Sequence, residues 1–144
     1  MIVVAGLEAA DRSAWEELFA GYHAFYGRTW PAERFDAAWR DFLAGERVHA
    51  LGARLDGRLV GIAHFLVHAS TSSGDVCYLQ DLFTAGDVRG RGVGRALIEA
   101  VAEWAKQRNL DRVYWHTRDD NATARRLYDQ VAENRGFIQY VIPL

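Results

Sequence analysis

The chain has little of what would point to an extracellular or membrane-bound protein. It has one cysteine, Cys77, which excludes an internal disulfide and a cysteine-rich metal site. No apolar run approaches the roughly 20 residues that a membrane-spanning helix needs, and the N-terminus lacks the charged-then-apolar order of a signal peptide. Repeats, linkers and low-complexity segments are absent as well. From these absences we expect a cytoplasmic protein.

The net charge and the length of the chain further restrict the class of protein and the number of domains. The net charge is -2, whereas a general nucleic-acid binder is expected to be strongly basic. The positive charge that exists is local, at residues 89–95 and at Arg125 and Arg126. At 144 residues the chain fits one domain, residues 1–144, with a single core.

The apolar pattern predicts two helices after a short strand at Ile2–Val4. Ser13–Glu16 has the form of a capping box, and an apolar stripe at helical spacing follows from Trp15 to Tyr26. A second helix is predicted between Pro31 and Gly45, since proline suits a first helical turn and glycine a helix end.

The rest of the chain alternates between strands and helices, which predicts an α/β (α+β) fold. A mixed, mostly antiparallel central sheet of roughly six to seven strands with helices on both faces is expected. The remaining predicted elements are two strands within Val48–Val67 joined at Asp56-Gly57, a strand at Val76–Thr84, a helix over 92–107, a strand at Arg112–Thr117, a helix capped by Asn121, and a strand from Phe137 to Ile142.

The most informative stretch is Asp87–Leu97, which follows a predicted strand and leads into a predicted helix. Within it, Arg89–Arg95 holds three glycines and three arginines. A glycine-rich strand-to-helix turn exposes backbone N–H groups at the positive end of the helix dipole. Such a turn binds phosphate or pyrophosphate, and arginines add charge-assisted donors.

Two common phosphate-binding motifs do not fit this stretch. A Walker A loop needs lysine and then serine or threonine after its last glycine, but Arg95-Ala96 follows Gly94. A dinucleotide fingerprint needs a glycine at the sixth position, which is Arg95 counted from Gly90 and Leu97 counted from Gly92. If only this stretch is considered, a tight turn with solvated arginines and no bound phosphate is an alternative to a phosphate-binding turn.

Two further segments agree with one family. The pattern R-x-x-G-x-G at residues 89–94 resembles the R/Q-x-x-G-x-G/A motif of the GNAT superfamily of N-acetyltransferases, in which this loop holds the pyrophosphate of acetyl-coenzyme A (acetyl-CoA). N-x-x-A-x-x-L-Y at residues 121–128 and G-F at residues 136–137 are similar to later motifs of that family. The resemblance covers essentially the whole chain. It implies a GNAT-like fold and transfer of an acetyl group to an amine by direct attack in a ternary complex.

One strand suggests a branch of the family. Residues 78–84 (Y-L-Q-D-L-F-T) are similar to the Y-L-E-D-L/F-F-V strand of the diamine (spermidine/spermine-type) acetyltransferases. Gln80 stands at the glutamate position and Thr84 at the valine position. Because an amide cannot act as a base, Gln80 weakens the prediction of polyamine specificity. The segment between Tyr128 and Gly136 is also longer than usual, which extends the last helix or the loop after it.

The resemblance also implies how the donor is held. The backbone of Leu82–Thr84 would pair with the pantetheine arm as an added strand, where a bulge splays the strands, and an N–H near Leu82 would polarise the thioester carbonyl. The implied cofactor-binding residues are Leu82, Phe83, Thr84, Arg89, Gly90, Arg91, Gly92, Val93, Gly94, Arg95, Asn121, Ala124 and Tyr128.

Tyr128 is the predicted general acid for the departing thiolate. A phenol with a pKa of about 10 keeps its proton at neutral pH and can deliver it over hydrogen-bond distance. The alternative is a core tyrosine beside Leu127. The register with Asn121 and Ala124 favours the catalytic interpretation.

The sequence does not identify the general base. Gln80 and Asp81 are both placed with the catalytic and substrate-binding residues, but as neighbours on a strand they point to opposite faces. Asp81 could take a proton through water, hold an ammonium group, or be a structural carboxylate. His64, His68 and His116 are alternatives by residue type, and a water chain with backbone carbonyls is another. Cys77 is expected to be a small packed residue.

The acceptor pocket is expected between the first two helices and the strand that ends at Thr84. Tyr26 and Trp30 are predicted to line this pocket. Tyr22 is a further candidate for its wall, but packing in the core is an equal alternative for it. The expected acceptor is a primary amine of a small molecule: a diamine, an amino acid or a related amine. Acetylation of a protein N-terminus or lysine, and a CoA-binding sensor domain without turnover, are the alternatives.

The expected partners are few. The sequence predicts no metal, nucleic acid or membrane partner. A homodimer is expected, since dimers are common among similar proteins, with the strand at Ile138–Ile142 or the strand at 76–84 in the contact.

Overall fold

The computed structural model describes all of residues 1–144, with one sheet and four α-helices. The elements, in chain order, are β1 (Ile2–Gly6), α1 (Arg12–Phe25), α2 (Ala32–Ala44), β2 (His49–Leu55), β3 (Arg58–His68), β4 (Val76–Thr84), α3 (Val93–Gln107), β5 (Val113–Tyr114) and α4 (Ala122–Val131), with single 3-10 turns at Ala9–Asp11 and Gly86–Val88.

The strands lie in the order β1-β2-β3-β4-β5. The first three pairings are antiparallel, and β4 with β5 is parallel. The turn between β2 and β3 consists of Asp56 and Gly57, with φ of 51° and 85°. Positive φ at both central residues is the geometry of a two-residue hairpin turn, so the sequence prediction for this turn is confirmed.

Helix α3 packs on one face of the sheet, directly over β3. A Cβ added at Gly61 would lie 2.7 Å from Cγ1 of Val93 and 2.9 Å from Cδ1 of Leu97. Only glycine allows this approach, because an added methyl would overlap both side chains. The buried cluster on this face also includes Val60 and Phe65, both 0% exposed.

Helices α1 and α2 cover the opposite face with aromatic side chains. Trp15 lies at the centre, with ring centroids 5.6 Å from Phe19, 6.0 Å from Phe35 and 5.1 Å from Trp39. Ile62 of β3 completes this buried cluster. The sheet thus has helices on both faces, as predicted.

Most predicted helix boundaries are confirmed, and one capping prediction is wrong. Gly45 ends α2 with φ of 67°, and Asn121 immediately precedes α4. The predicted capping box at Ser13–Glu16 does not start α1, which begins at Arg12. Instead, the Asp11 carboxylate accepts the N–H of Glu8 at 2.7 Å, because a 3-10 turn places that side chain ahead of the helix.

The prediction of six to seven strands is wrong, since the sheet has five. Residues 133–144 form no strand, and β5 is limited to Val113–Tyr114 instead of Arg112–Thr117. A strand needs a neighbour for its backbone hydrogen bonds, and this segment has none in its own chain. Its large apolar side chains, namely Phe137, Ile138, Tyr140, Val141, Ile142 and Leu144, are each at least 68% exposed. No helix is long and apolar enough to cross a membrane.

Candidate active site

A cleft opens where β4 and β5 separate. The two strands pair only at Cys77–Val113 and Tyr78–Tyr114, whereas β4 continues to pair with β3 as far as Thr84. Beyond Tyr78, one edge of β4 therefore has no neighbouring strand. Its unpaired backbone groups can bind an extended, amide-bearing molecule in the manner of an added strand.

A bulge lies in β4 at the same place. His64 of β3 pairs with Asp81, but the next residue, Phe65, pairs with Leu79, so Gln80 is the extra residue. A bulge redirects side chains and interrupts regular pairing. Gln80 is exposed, while the Asp81 side chain is 14% exposed and contacts His64. Because the bulge interrupts the alternation of side chains along β4, the opposite orientation of these two neighbours stays a prediction.

The glycine-rich turn forms the N-terminus of α3. Gly90 and Gly92 have φ of 78° and 85°, and Gly92 is the N-cap. The first helical bond runs from the N–H of Ala96 to the carbonyl of Gly92 at 3.0 Å. The N–H groups of residues 93–95 have no protein acceptor, as at any helix start, and they suit a phosphate anion.

Three elements meet at Gly94. A Cβ added there would lie 3.3 Å from Cδ2 of Leu127 in α4 and 3.9 Å from Oγ1 of Thr84 in β4. The turn, the open end of β4 and the middle of α4 therefore lie side by side.

The arginines of the turn differ in their surroundings. Arg89 and Arg91 are exposed and make no side-chain hydrogen bond or ion pair with the protein. Arg95 donates to the side chain of Gln130 in α4. Two free guanidinium groups beside unpaired backbone N–H groups fit a pyrophosphate, because such groups form charge-assisted bonds with phosphate oxygens.

Tyr128 is half-buried on α4 and faces the sheet. Its ring packs edge-on against Trp115 with centroids 5.4 Å apart, and its hydroxyl has no hydrogen-bond partner in the protein. Burial, and then the neighbouring Tyr26, raise the pKa of Tyr128. The phenol therefore stays protonated at neutral pH, as an acid must.

The N-terminus of α4 is held by a side-chain contact. Asn121 donates its amide N–H to Oγ1 of Thr117 at 3.3 Å, and it does not cap the helix with its side chain. Ala124, one turn later, is half-buried on the same helix.

Asp81 is the innermost carboxylate of the site. Its Oδ2 lies 3.0 Å from Nδ1 of His64, and Nε2 of His64 accepts the indole N–H of Trp15 at 2.9 Å. Asp81 forms no ion pair with an arginine or a lysine. The basic side chain within ion-pair distance of its carboxylate is His64.

Tyr22 of α1 also belongs to this group. Burial, then the negative charge of Asp81 and a hydrogen bond to that carboxylate, raise the pKa of Tyr22 well above its ordinary value. The phenol therefore stays protonated. Sequence reasoning assigned Tyr22 equally to the pocket wall and to the core. Helical spacing alone does not distinguish a core tyrosine from one that reaches a carboxylate.

The other two histidines considered as bases, His68 and His116, make their contacts away from Asp81, and so does Cys77. Nε2 of His68 lies 2.7 Å from the Tyr114 hydroxyl, and Nδ1 of His116 lies 3.3 Å from the Tyr78 hydroxyl. Cys77 is 0% exposed, and burial raises the pKa of its thiol to about 11. It is a packed residue without a reactive thiolate.

One of the predicted pocket walls, Trp30, packs on a histidine that sequence reasoning did not single out. Trp30 stacks on His23 with ring centroids 4.3 Å apart, and Tyr26 packs on Tyr22 at 5.1 Å. His23 is 4% exposed, and both of its ring nitrogens lack a hydrogen-bond partner. Burial, followed by the charge of Arg28, lowers the pKa of His23. His23 lies within the apolar stripe of α1, so sequence reasoning had no signal that distinguishes it.

Comparison with known proteins identifies the family. Residues 15–132 match the model of the acetyltransferase (GNAT) family, so the chain belongs to that family and is an acetyl-CoA-dependent N-acetyltransferase. It is 33% identical to the D-amino-acid N-acetyltransferase HPA3 of Saccharomyces cerevisiae, over 96% of this chain and 89% of that protein.

Solved structures agree in fold. The ribosomal-protein-alanine N-acetyltransferase of Brucella melitensis biovar Abortus 2308 superposes with a TM-score of 0.83 and 28% identity over 100% of both chains. AAC(6')-Iy, in complex with the bisubstrate analog CoA-S-monomethyl-acetylneamine, superposes with a TM-score of 0.88 at 17% identity, over 100% of this chain and 99% of that one. The latter likeness concerns the fold alone.

Proposed function

We propose that the chain transfers an acetyl group from acetyl-CoA to the primary amine of a small molecule of the amino-acid type, with both substrates bound together. The observation that carries the proposal is the Asp81 carboxylate, which is largely buried but has no cationic partner. A buried carboxylate without a counterion is costly. The ammonium form of an acceptor amine would supply the missing charge.

The donor site is the cleft at the open edge of β4. We infer that the N–H groups of residues 93–95 and the guanidinium groups of Arg89 and Arg91 hold the pyrophosphate, and that β4 from Leu82 to Thr84 holds the pantetheine arm. Bound acetyl-CoA supplies the activated acetyl thioester. Gly90, Gly92, Arg95, Asn121 and Ala124 shape the turn and the start of α4 around it.

Proton transfer is assigned to two side chains on opposite sides of the cleft. Asp81 takes the proton of the acceptor ammonium, directly or through one water. The Tyr128 hydroxyl, which has a raised pKa and no protein partner, gives its proton to the departing thiolate. Gln80 is exposed beside Asp81 and carries no charge, so we assign it to hydrogen bonding with the acceptor.

The acceptor class follows from the pocket walls and the relatives. Tyr22, Tyr26 and Trp30 leave an aromatic surface beside Asp81, which suits a small ammonium compound. The name of the S. cerevisiae relative states that it acts on D-amino acids. Diamines are kept among the candidate acceptors because residues 78–84 are similar to the strand of the diamine acetyltransferases. Gln80, however, replaces the carboxylate that is typical of those enzymes.

The test is thiol release from acetyl-CoA with a panel of amines. The panel contains L- and D-amino acids, diamines, an aminoglycoside, and a short peptide with a free N-terminus and a lysine. We expect release above hydrolysis with amino acids, and a drop of about 100-fold or more in kcat with Asp81→Asn. Gln80→Glu is the matched control, and it should shift the preference toward diamines because it restores the carboxylate.

Other outcomes assign the chain differently. Release with the peptide only would favour a protein acetyltransferase. Binding of CoA without release with any amine would favour a sensor domain. Full activity of Asp81→Asn would remove Asp81 from catalysis.

We also infer that the active form is a homodimer that exchanges its C-terminal segment, residues 137–142. The segment forms no regular element, and its apolar side chains are exposed. The free edge of β5 lies beside an apolar cleft of about 590 Å³, lined in part by Ile98, Val113, Trp115 and Val131. A strand from a second copy would cover this cleft and satisfy the β5 edge, which is the usual logic of segment exchange.

Light scattering after size-exclusion chromatography tests the dimer. The full chain should have the mass of a dimer, and the chain truncated after Gly136 should be a monomer. A monomeric full chain would contradict the inference. A single domain over 1–144 and a cytoplasmic location stay predictions from the sequence.

A further inference from the structure

Two hydrogen bonds connect α1 through β3 to Asp81. The indole nitrogen of Trp15 lies 2.9 Å from Nε2 of His64, and Nδ1 of His64 lies 3.0 Å from Oδ2 of Asp81. Trp15 and His64 are 0% and 3% exposed. Solvent therefore does not compete for either bond.

The chemistry of these groups determines where the protons are. An indole nitrogen can only donate a hydrogen bond. Nε2 of His64 must therefore accept, and the single proton of the neutral ring is on Nδ1, where it points at Asp81. A doubly protonated His64 would direct an N–H at the indole N–H across 2.9 Å. His64 is thus held neutral and can serve only as a donor to the carboxylate.

We propose that His64 is a positioning residue for acetyl transfer: Trp15 holds it as the Nδ1–H tautomer, and it orients the carboxylate of Asp81 toward the acceptor amine. The proposal rests on the proposed function, because it requires Asp81 to receive the amine proton. In that step an N–H bond of the ammonium breaks, an O–H bond forms on Asp81, and the electron pair stays on nitrogen.

The arrangement reverses the familiar order in which a carboxylate orients a histidine base. With Nε2 occupied by Trp15, His64 has no free lone pair for a proton. The proton therefore stays on Asp81 until water removes it. The carboxylate acts as the base, and the histidine controls its direction.

Other ionisable groups surround the pair without contacting Nε2 of His64. Tyr22 and His23 face Asp81 from α1, and Tyr78 approaches it from β4. Arg28, in the linker after α1, acts on Tyr22 and His23. None of these groups is the donor to Nε2, so Trp15 alone controls the tautomer.

Nuclear magnetic resonance tests the tautomer without any turnover. In two-bond ¹H–¹⁵N spectra of the ¹⁵N-histidine-labelled chain at neutral pH, His64 should show the Nδ1–H tautomer. In Trp15→Phe, which keeps an aromatic ring but removes the indole N–H, a measurable share of His64 should change to the Nε2–H tautomer. An Nε2–H tautomer in the unmodified chain, or an unchanged tautomer in Trp15→Phe, would overturn the proposal.

Activity tests the positioning role with a matched pair of variants. His64→Asn keeps an N–H donor at the place of Nδ1, whereas His64→Gln keeps an acceptor near Nε2 but loses that donor. We expect kcat to fall about tenfold more in His64→Gln than in His64→Asn, the size of one hydrogen bond to a charged group. In Trp15→Phe, kcat should fall toward that of His64→Gln, because the tautomer that donates to Asp81 is no longer held. Thermal unfolding of each variant shows whether a loss of activity is a loss of fold.

The outcomes separate this proposal from the proposed function. If Asp81→Asn lowers kcat but the two His64 variants are equal and Trp15→Phe has the kcat of the unmodified chain, only the positioning role fails. If Asp81→Asn has full activity, the base assignment fails, and the role of His64 fails with it.

Discussion

The two sides of the cleft are packed in opposite ways. On the acceptor side, α1 and α2 bury Trp15, Phe19, Phe35 and Trp39 against the sheet, each at most 8% exposed. On the other side, α4 has no buried residue, and residues 133–144 form no regular element. The acceptor side is complete within the chain. On the side that carries Tyr128, the large apolar side chains of residues 137–144 stay exposed.

This difference has a functional reason. A base must be held in a fixed direction, and Asp81, the proposed base, contacts the buried His64 in this dense layer. The donor is large and must enter and leave, and elements of low packing density permit such movement. Four predictions test the contrast, from the largest expected effect to the smallest.

The first prediction compares equivalent truncations on the two sides. Ile62 is 0% exposed in the acceptor-side cluster, and Ile62→Ala should lower the free energy of unfolding by about 2–5 kcal/mol. Leu127→Ala on α4, where the side chain is only half-buried, should cost about 1 kcal/mol or less. Urea denaturation measures both. Equal losses would mean that α4 is packed as firmly as α1 and α2.

The second prediction concerns the acid on the open side. Tyr128→Phe should lower kcat about 100-fold, because the thiolate loses its proton donor, while CoA affinity should be unchanged because the ring is kept. Since burial raises the pKa of Tyr128, the acid stays protonated until the pH rises beyond about 10. Steady-state kinetics across pH check this. A variant with normal kcat would exclude the acid role.

The third prediction concerns the ion pair that ties α1 to the sheet. Arg54 donates to Oδ2 of Asp11 at 2.5 Å, and this bond, more than any other contact, lowers the pKa of Asp11. A lowered carboxylate pKa contributes stability above its unfolded value of about 3.9, and the contribution is lost as the pH falls through the folded pKa. Arg54→Gln should therefore cost about 1.5–3 kcal/mol near neutral pH, and the difference should shrink below about pH 4.

An exposed pair provides the control for that measurement. Arg58 lies 2.8 Å from Asp87, with side chains 58% and 62% exposed. Exposed pairs contribute little, so Arg58→Gln should leave the unfolding midpoint nearly unchanged at every pH. A pH-independent loss in Arg54→Gln would indicate lost packing and not a lost charge pair.

The fourth prediction concerns the turn at the start of α3. Gly92 has φ of 85°, a conformation that costs other residues about 1–2 kcal/mol. Gly92→Ala should weaken CoA binding about tenfold, because the strained turn no longer presents its N–H groups correctly. Gly86→Ala is the control, since an added Cβ there meets nothing within 4 Å. Isothermal titration calorimetry with CoA compares the two, and equal affinity would remove the requirement for glycine.

Sequence reasoning succeeded where the signal is local. The Asp56-Gly57 turn, the end of α2 at Gly45 and the span of α3 each depend on a few adjacent residues, and each is confirmed. The Ser13 capping box was wrong because α1 already begins at Arg12, and the Asp11 carboxylate closes the preceding 3-10 turn by accepting the N–H of Glu8. The closing strand was wrong because β-propensity does not supply a neighbouring strand.

The amino-acid order alone determined the glycine-arginine turn, the adjoining helix and the Asn121–Tyr128 segment, because these are contiguous patterns that set backbone conformation and charge. It thereby determined the family and the donor. Only the tertiary structure decided that Trp15, His64 and Asp81 meet, since they are distant in the chain and come together through α1, β3 and a bulge in β4. A hydrogen bond between residues 49 positions apart leaves no periodicity in the sequence, so no local pattern predicts it.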